Sequence, residues 1–69
     1  MKYEQIDIEY RLDNYGCECE YIEDLGTITN AKKVCKKLQS KYGKRLEKLE
    51  ILCYIEGALE QAIPMEHIL

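Results

Sequence analysis

Residues 3–12, YEQIDIEYRL, decide the fold because polar and apolar side chains alternate along them from Gln5 to Leu12. A period of two is typical of a strand with one buried side and one solvent-facing side. A turn follows at residues 13–16, DNYG, where Asn and Gly tolerate positive φ angles. The side expected to be buried is Ile6, Ile8, Tyr10 and Leu12, and the outer side is Gln5, Asp7, Glu9 and Arg11.

A second predicted strand covers residues 17–23, CECEYIE, and completes a hairpin with the first. Because ionised carboxylates are costly to bury, the side that carries the cysteines is expected to face the core. The opposite side then belongs to the outer face of the sheet. The inner set is Cys17, Cys19 and Tyr21, and the outer set is Glu18, Glu20 and Ile22.

A helix is predicted between residues 29 and 43, where apolar side chains recur at helical spacing. Thr29 or Asn30 is expected to cap its start, and Gly43 is expected to end it. The apolar set is Ala31, Val34, Cys35, Leu38 and Tyr42.

Residues 46–56, LEKLEILCYIE, fit both a strand and a helix. The β-branched and aromatic residues among them favour the strand. Its inner side would be Leu49, Ile51, Cys53 and Ile55; the helical alternative aligns Leu46, Leu49, Leu52 and Leu59.

The sequence therefore predicts one α+β domain over residues 1–69, with a ββαβ core at 1–56. A right-handed crossover makes the third strand parallel to the second and places it beside the first, in the order 2-1-3. The helix covers one face of the sheet. The apolar tail at residues 57–69 fits no single pattern: an edge strand, a helical turn and an oligomerisation segment are all open.

Charge is segregated along the chain, although the net charge is only -3. Residues 1–26 hold eight acids against two bases, residues 27–48 hold eight bases against one acid, and residues 49–69 hold four acids and no base. No segment is apolar enough to act as a signal peptide or to span a bilayer, so a cytoplasmic protein without membrane contact is expected.

The cysteines all fall on predicted core faces, where reduced thiols pack as small apolar groups. The alternative is a structural zinc domain, but zinc sites usually draw on C-x₂-C knuckles in turns, and the first pair here is C-x-C. The zinc ligands would be Cys17, Cys19, Cys35 and Cys53.

Catalytic groups are hard to assemble from this sequence, so neither an enzyme nor a cofactor is expected. The one histidine, His67, lies near the end of the chain, and the one serine, Ser40, lies on the lysine-rich helix. Carboxylate pairs on a flat solvated face lack the enclosure that raises a catalytic pKa.

The outer sheet face is the predicted site for a protein partner. Carboxylates around exposed apolar groups suit a basic protein surface, because charge speeds the encounter and apolar contact slows release. A second copy of the chain is also expected, since a dimer relieves a thin core. The predicted contact residues are Asp7, Glu9, Glu18, Glu20, Ile22, Glu50, Leu52 and Tyr54.

The lysines of the predicted helix form a second charged surface. The acidic composition argues against direct nucleic-acid binding, but a nucleotide could be held by lysines and tyrosines where two subunits meet. This alternative is an oligomeric sponge for an anionic nucleotide signal. The anion-binding candidates are Lys32, Lys33, Lys36, Lys37 and Lys41.

The layout of MKYEQIDIEYRLDNYGCECEYIE…TITNAKKVCKKLQSKYGKRLEKLEIL resembles the small ββαβ proteins of bacteriophages and mobile elements. The resemblance covers residues 1–56 and lies in the order of elements, with a helix of the type S/T-x-x-A-x-x-x-V/L. It implies a non-enzymatic protein that blocks a bacterial defence or nucleic-acid-processing protein by stoichiometric binding.

Overall fold

The computed structural model describes residues 3–13 and 19–68. They form a four-stranded sheet, one long helix, a 3-10 turn and one short helix. The elements are β1 (Gln5–Leu12), β2 (Glu20–Ile22), α1 (Ile28–Tyr42), the 3-10 turn (Gly43–Arg45), β3 (Leu46–Ile55), β4 (Ala58–Pro64) and α2 (Met65–Ile68).

The strand order is β2-β1-β3-β4, and each neighbouring pair is antiparallel. The predicted α+β class and the predicted order of the first three strands are confirmed. So is the extended conformation of β3, which pairs with β1 from Leu46 to Tyr54 with one register shift, between Arg11 and Leu12. The tail adds a fourth strand, so the sheet is wider than predicted.

The hydrophobic core lies between α1 and one face of the sheet. The strands supply Ile6, Ile8, Leu12, Leu46, Leu49, Ile51 and Cys53, α1 supplies Ala31, Cys35 and Leu38, and α2 supplies Ile68. Strand alternation and helical spacing select these residues in the sequence, and each of the two patterns brings its apolar side to this one layer. Among the described residues, no helix is both long and apolar enough to cross a membrane.

The ends of α1 are fixed by local hydrogen bonds. Thr27, not Thr29 or Asn30, is the N-cap: its Oγ1 accepts a hydrogen bond from the Asn30 backbone N–H at 3.1 Å. The Asn30 side chain instead donates to the Leu25 carbonyl at 2.8 Å. Gly43 ends the helix with a φ of 54°, as predicted, in a region that favours glycine.

The tail forms a hairpin with β3 through the two-residue turn Glu56-Gly57. Both residues have positive φ, 52° and 77°, which is the type I′ geometry that matches strand twist. A bulge shifts the register between Cys53 and Tyr54, so that Tyr54 pairs with Leu59 whereas Cys53 pairs with Gln61. The tail is therefore an edge strand that ends in one turn of helix.

β2 faces the opposite way from the prediction. Ile22 pairs with Ile8 and packs against the core, whereas Tyr21 pairs with Glu9 on the other side of the sheet and is 58% exposed. The side chain of Ile22 is wholly apolar and packs favourably against the core, whereas Tyr21 keeps its hydroxyl near water. Glu20 pairs with Tyr10 on the helix side but stays exposed at this edge, so its carboxylate is not buried.

Candidate protein-binding face

The second face of the sheet, here called the open face, is not covered by any helix or strand of residues 3–13 and 19–68. Strand pairing assigns its members, because residues directly opposite each other in antiparallel strands share a face. They are Gln5, Asp7, Glu9 and Arg11 of β1, Tyr21 of β2, Lys48, Glu50, Leu52 and Tyr54 of β3, and Leu59, Ala62 and Pro64 of β4.

An ion-pair cluster lies on the open face toward the end of the sheet where β3 begins. The Lys48 ammonium donates to the Glu9 carboxylate and lies 3.3 Å from Oε1 of Glu50. This hydrogen bond from Lys48 lowers the pKa of Glu9 below its ordinary value, against the opposing effect of desolvation. It also raises the pKa of Lys48. Two of the predicted contact residues, Glu9 and Glu50, therefore already have a cation as their partner.

Two further ion pairs lie at the same end of the sheet. Arg11 Nε is 3.2 Å from Glu47 Oε2, and Arg45 Nε is 3.6 Å from Asp13 Oδ1. Of the bases in these ion pairs, Arg11 and Lys48 lie on the open face and offset part of the negative charge predicted for it. The open face is thus less acidic than its sequence indicates.

Asp7 is a structural group and not a solvated one. It is 7% exposed and accepts hydrogen bonds from the Gln5 amide at 3.1 and 3.0 Å and from the Asp24 backbone N–H at 3.2 Å. Asp24 has a φ of 56°, so the carboxylate holds a strained residue in the loop that leads to α1. The predicted exposed position of Asp7 is wrong because side chains on the open face cover one another.

An apolar strip follows β3 and β4 on the open face. Leu52 lies between Asp7 and Ala62 and is only 7% exposed, which corrects its predicted position as an exposed anchor. Tyr54 is half-buried, whereas Leu59 opposite it is 53% exposed. The most accessible apolar surface therefore lies at the β3–β4 hairpin end of the open face.

Carboxylates flank this hairpin end. The Glu4 backbone N–H donates to the Tyr54 carbonyl at 2.9 Å, and its carboxylate accepts from the Glu56 backbone N–H at 3.0 Å. Glu4, Glu56 and Glu60 are exposed, and none forms an ion pair with a described residue. Exposed apolar groups and acids that form no ion pair with a described residue thus lie together at the hairpin end, in the tail for which the sequence pattern predicted no single secondary structure.

The remaining predicted contact residues do not gather on the open face. Ile22 packs against the core and Glu20 lies on the helix side of β2, as described above. Glu18 and Cys17 fall outside the described residues. Tyr3, expected among the carboxylates, packs against the core instead, and its hydroxyl donates to Gln61 Oε1 at 2.6 Å.

The described cysteines do not converge on a metal site. Cys35 and Cys53 are free thiols in the core, and burial raises the pKa of both, that of Cys35 to about 11. Cys19 is half-buried and lies two residues before Tyr21, on the open-face side beside Glu9. No group of three candidate ligands comes together within the described ranges, and the sheet separates Cys19 from the other two.

The lysines of α1 lie on its solvent-facing side. Lys32, Lys33, Lys36, Lys37 and Lys41 are all exposed, as predicted for the anion-binding candidates. Lys41 Nζ lies 5.1 Å from the centre of the Tyr42 ring. That ring also stacks on Tyr10, with centroids 6.0 Å apart, and is half-buried.

The sequence did not predict the surface at the hairpin end because a bulge interrupts the alternation of side chains in the tail. Leu59, Ala62 and Pro64 share the open face although Leu59 and Ala62 are three residues apart, and this breaks the period of two. The usable signal was the Glu56-Gly57 dipeptide, a two-residue hairpin turn between two apolar runs.

Comparison of the chain with protein-family profiles, with curated proteins and with solved structures finds no match.

Proposed function

We propose that the protein is a non-enzymatic binding protein that occludes a partner protein by docking the hairpin end of its open face. The observation that carries the proposal is the apolar strip at exposed Leu59 and half-buried Tyr54. It lies next to the exposed carboxylates of Glu4 and Glu56, which form no ion pair with a described residue. Interfaces combine an apolar centre with a polar rim, and this surface offers both on a rigid sheet.

The partner that fits this surface is basic and apolar, such as a site that normally holds nucleic acid. Free carboxylates steer a basic surface into contact, and aromatic and aliphatic side chains then slow its release. The layout resemblance to phage and mobile-element proteins narrows the proposal to a stoichiometric inhibitor of a bacterial defence or nucleic-acid-processing protein. Its setting would be the cytoplasm of a bacterial host.

The carboxylates proposed to attract the partner at long range differ from those predicted from the sequence. The carboxylates of Glu9 and Glu50 are engaged by Lys48, and Asp7 is buried, so these three organise the sheet. The carboxylates at the hairpin end take over the long-range attraction, and Tyr54 keeps its predicted role as an anchor, joined by Leu59.

The test compares two single charge insertions. Tagged wild-type protein and the Leu59→Lys and Thr29→Lys variants are used to capture partners from a bacterial lysate, and the captured protein is then purified for calorimetry. Thr29 is exposed on α1, which covers the other face of the sheet. Each variant gains one lysine, so the two proteins have the same net charge and differ in where the new charge lies. A buried contact at the centre of an interface is worth about 2 kcal/mol, or roughly a 30-fold change in affinity.

We expect 1:1 binding that Leu59→Lys weakens by about that factor and Thr29→Lys leaves unchanged. Inhibition of the partner's activity should follow its occupancy. Equal binding by the two variants contradicts the proposed face. A second copy is the other occupant expected for this surface; if Leu59→Lys converts a dimer into a monomer without affecting capture, the face serves self-association instead.

A further inference from the structure

The outer side of α1 carries a run of positive charge whose lysines form no ion pair with the described residues. Residues 25–46 contain seven cations and no acid. Within the described part of the chain, the ion pairs use Arg11, Arg45 and Lys48, and none uses a lysine of α1. The described ion pairs therefore use cations of the sheet and of the 3-10 turn. The lysines of α1 have no carboxylate partner among the described residues.

This arrangement is unfavourable for the helix. Lys32 and Lys36, Lys33 and Lys37, and Lys37 and Lys41 are like-charged pairs four residues apart, and each costs roughly 0.2–0.5 kcal/mol. The helix also lacks an acidic residue in its first turn, where one would complement the helix dipole. A surface that only had to be soluble would mix charge signs, so the segregation indicates an anionic partner.

The chemistry of the surface distinguishes among anionic partners. The exposed side chains beside the lysines are polar, Thr29, Asn30 and Ser40, and the apolar side of α1 is buried against the sheet. No apolar group of α1 is free to enter a bilayer or an apolar protein interface. Hydroxyl, amide and ammonium groups are the usual donors to the phosphates of a nucleic-acid backbone.

The nucleic acid that fits is a duplex and not a single strand. Single strands are held by aromatic platforms on which bases stack. The aromatic ring at this surface, Tyr42, is half-buried against Tyr10 and is not available for stacking. Lysine ammonium groups are point charges, which hold a backbone without reading base sequence.

The dimensions match a duplex backbone. Lys32 and Lys41 are nine residues apart on α1, which corresponds to about 14 Å along its axis, and a duplex presents about eight phosphate charges over that length. The acids of the open face lie across a domain whose smallest extent is 18 Å. Screening over about 8 Å at physiological salt weakens their repulsion, and Lys48 and Arg11 already offset part of it.

We infer that the outer side of α1, with its 3-10 turn, binds the phosphate backbone of double-stranded nucleic acid without sequence preference. This surface is separate from the hairpin end of the open face, and the inference does not depend on the proposed inhibitor function. The residues that carry it are Lys32, Lys33, Lys36, Lys37, Lys41 and Lys44.

The test measures binding of the intact protein to a fluorescein-labelled DNA duplex of about two helical turns by fluorescence anisotropy. Salt is varied from about 50 to about 200 mM. The variant is Lys33→Gln/Lys37→Gln, which keeps helix propensity and removes two charges from the row. The control is Ala58→Glu/Ala62→Glu, which changes net charge by the same amount at exposed positions of β4. Circular dichroism checks the fold of both.

We expect a Kd between about 10⁻⁴ and 10⁻⁶ M near physiological salt, with log K falling linearly with log salt. The Lys33→Gln/Lys37→Gln slope should be smaller by about 2, since each lysine contact contributes about 1. The control should keep the wild-type slope.

Three outcomes would overturn the inference. The first is no binding to the duplex at the lowest salt. The second is an equal loss of affinity in the variant and the control, because binding would then reflect only net charge. The third is equal or tighter binding of poly-glutamate or of phosphatidylserine vesicles, which would assign the lysines to an acidic protein or a membrane surface.

Discussion

The two faces of the sheet are stabilised in different ways. The face under α1 buries aliphatic side chains and thiols, and Ile8, Ile51 and Cys53 are completely inaccessible there. The open face also buries side chains, but these include Asp7 at 7% exposure and an ion-paired Glu9. One face gains from removal of apolar area from water, and the other from hydrogen bonds and ion pairs at partly buried positions.

The difference shows that a polar strand side is not necessarily a free surface. On the open face, Lys48, Asp7 and their partners satisfy one another, so their charges serve the fold more than they serve a ligand. Charges that remain available lie elsewhere, on the lysines of α1 and on the carboxylates of the β3–β4 hairpin. Candidate contact residues are therefore the exposed charged residues that form no ion pair with another described residue.

The largest expected effect that tests this comparison is in thiol reactivity, because the two faces hold different cysteines. In a Cys17→Ser background, Cys19 of the open-face side should react with iodoacetamide first. Burial raises the pKa of Cys35 from 9.0 to about 11, which by itself lowers the reactive thiolate, and hence the alkylation rate, by about 100-fold at mildly alkaline pH. Cys53 should be protected as well, since burial also raises its pKa.

Mass spectrometry of peptides after timed alkylation gives the rate for each cysteine. Denaturant should make all three react at similar rates, which controls for differences in local sequence. If Cys19 is protected as strongly as Cys35 in the folded protein, then β2 faces the core with its cysteine side, as the sequence pattern first indicated, and the assignment of Tyr21 to the open face fails.

The next effect concerns the buried carboxylate. Asp7→Ala leaves the Gln5 amide and the Asp24 backbone N–H without their acceptor. An unsatisfied donor of this kind costs about 1–3 kcal/mol, which should appear as a lower free energy of unfolding in urea. Asp7→Asn keeps an acceptor oxygen and should lose less. Glu23→Ala, at an exposed position, is the control and should stay within about 0.5 kcal/mol of wild type. A loss in Asp7→Ala no larger than this would mean that Asp7 behaves as a solvated surface residue.

The sequence predicts the covered face well because each strong pattern there has one structural solution. Ile6, Ile8 and Leu12 can reach a core only from one side of a strand, and Gly43 stops α1 in a conformation, φ 54° and ψ -124°, that favours glycine. Strand order follows from handedness once the hairpin and helix are placed.

The side of β2, the register of β4 and the burial of Asp7 could not be predicted from the sequence because they depend on contacts between distant segments. The three residues of β2 pair with only Ile8, Glu9 and Tyr10, so a pattern of weakly apolar side chains did not fix its side. The bulge in β4 hid its alternation, and the burial of Asp7 depends on the Asp24 loop, seventeen residues away. The candidate site moved to the hairpin end for these reasons.

The smallest expected effect tests the ion pairs of the open face. Lys48→Met removes the cation shared by Glu9 and Glu50, and the free energy of unfolding at neutral pH should fall by about 0.2–1 kcal/mol. Lys36→Met is the matched control: it removes the same charge from an exposed position without an ion pair among the described residues. It should be neutral or slightly stabilising, because it relieves repulsion along α1.

The lowered pKa of Glu9 determines how the stabilisation by this ion pair changes with pH. The folded-state pKa of Glu9 lies below its ordinary value of 4.5, first because of the hydrogen bond from Lys48. The stabilisation is therefore complete above that ordinary value and is lost as the pH falls through the lowered one. Urea unfolding at a series of acidic pH values should show this loss in wild type and in Lys36→Met, and a smaller loss in Lys48→Met. Parallel curves for all three proteins would show that the pair does not stabilise the fold, and the carboxylates of Glu9 and Glu50 would then be available to a partner after all.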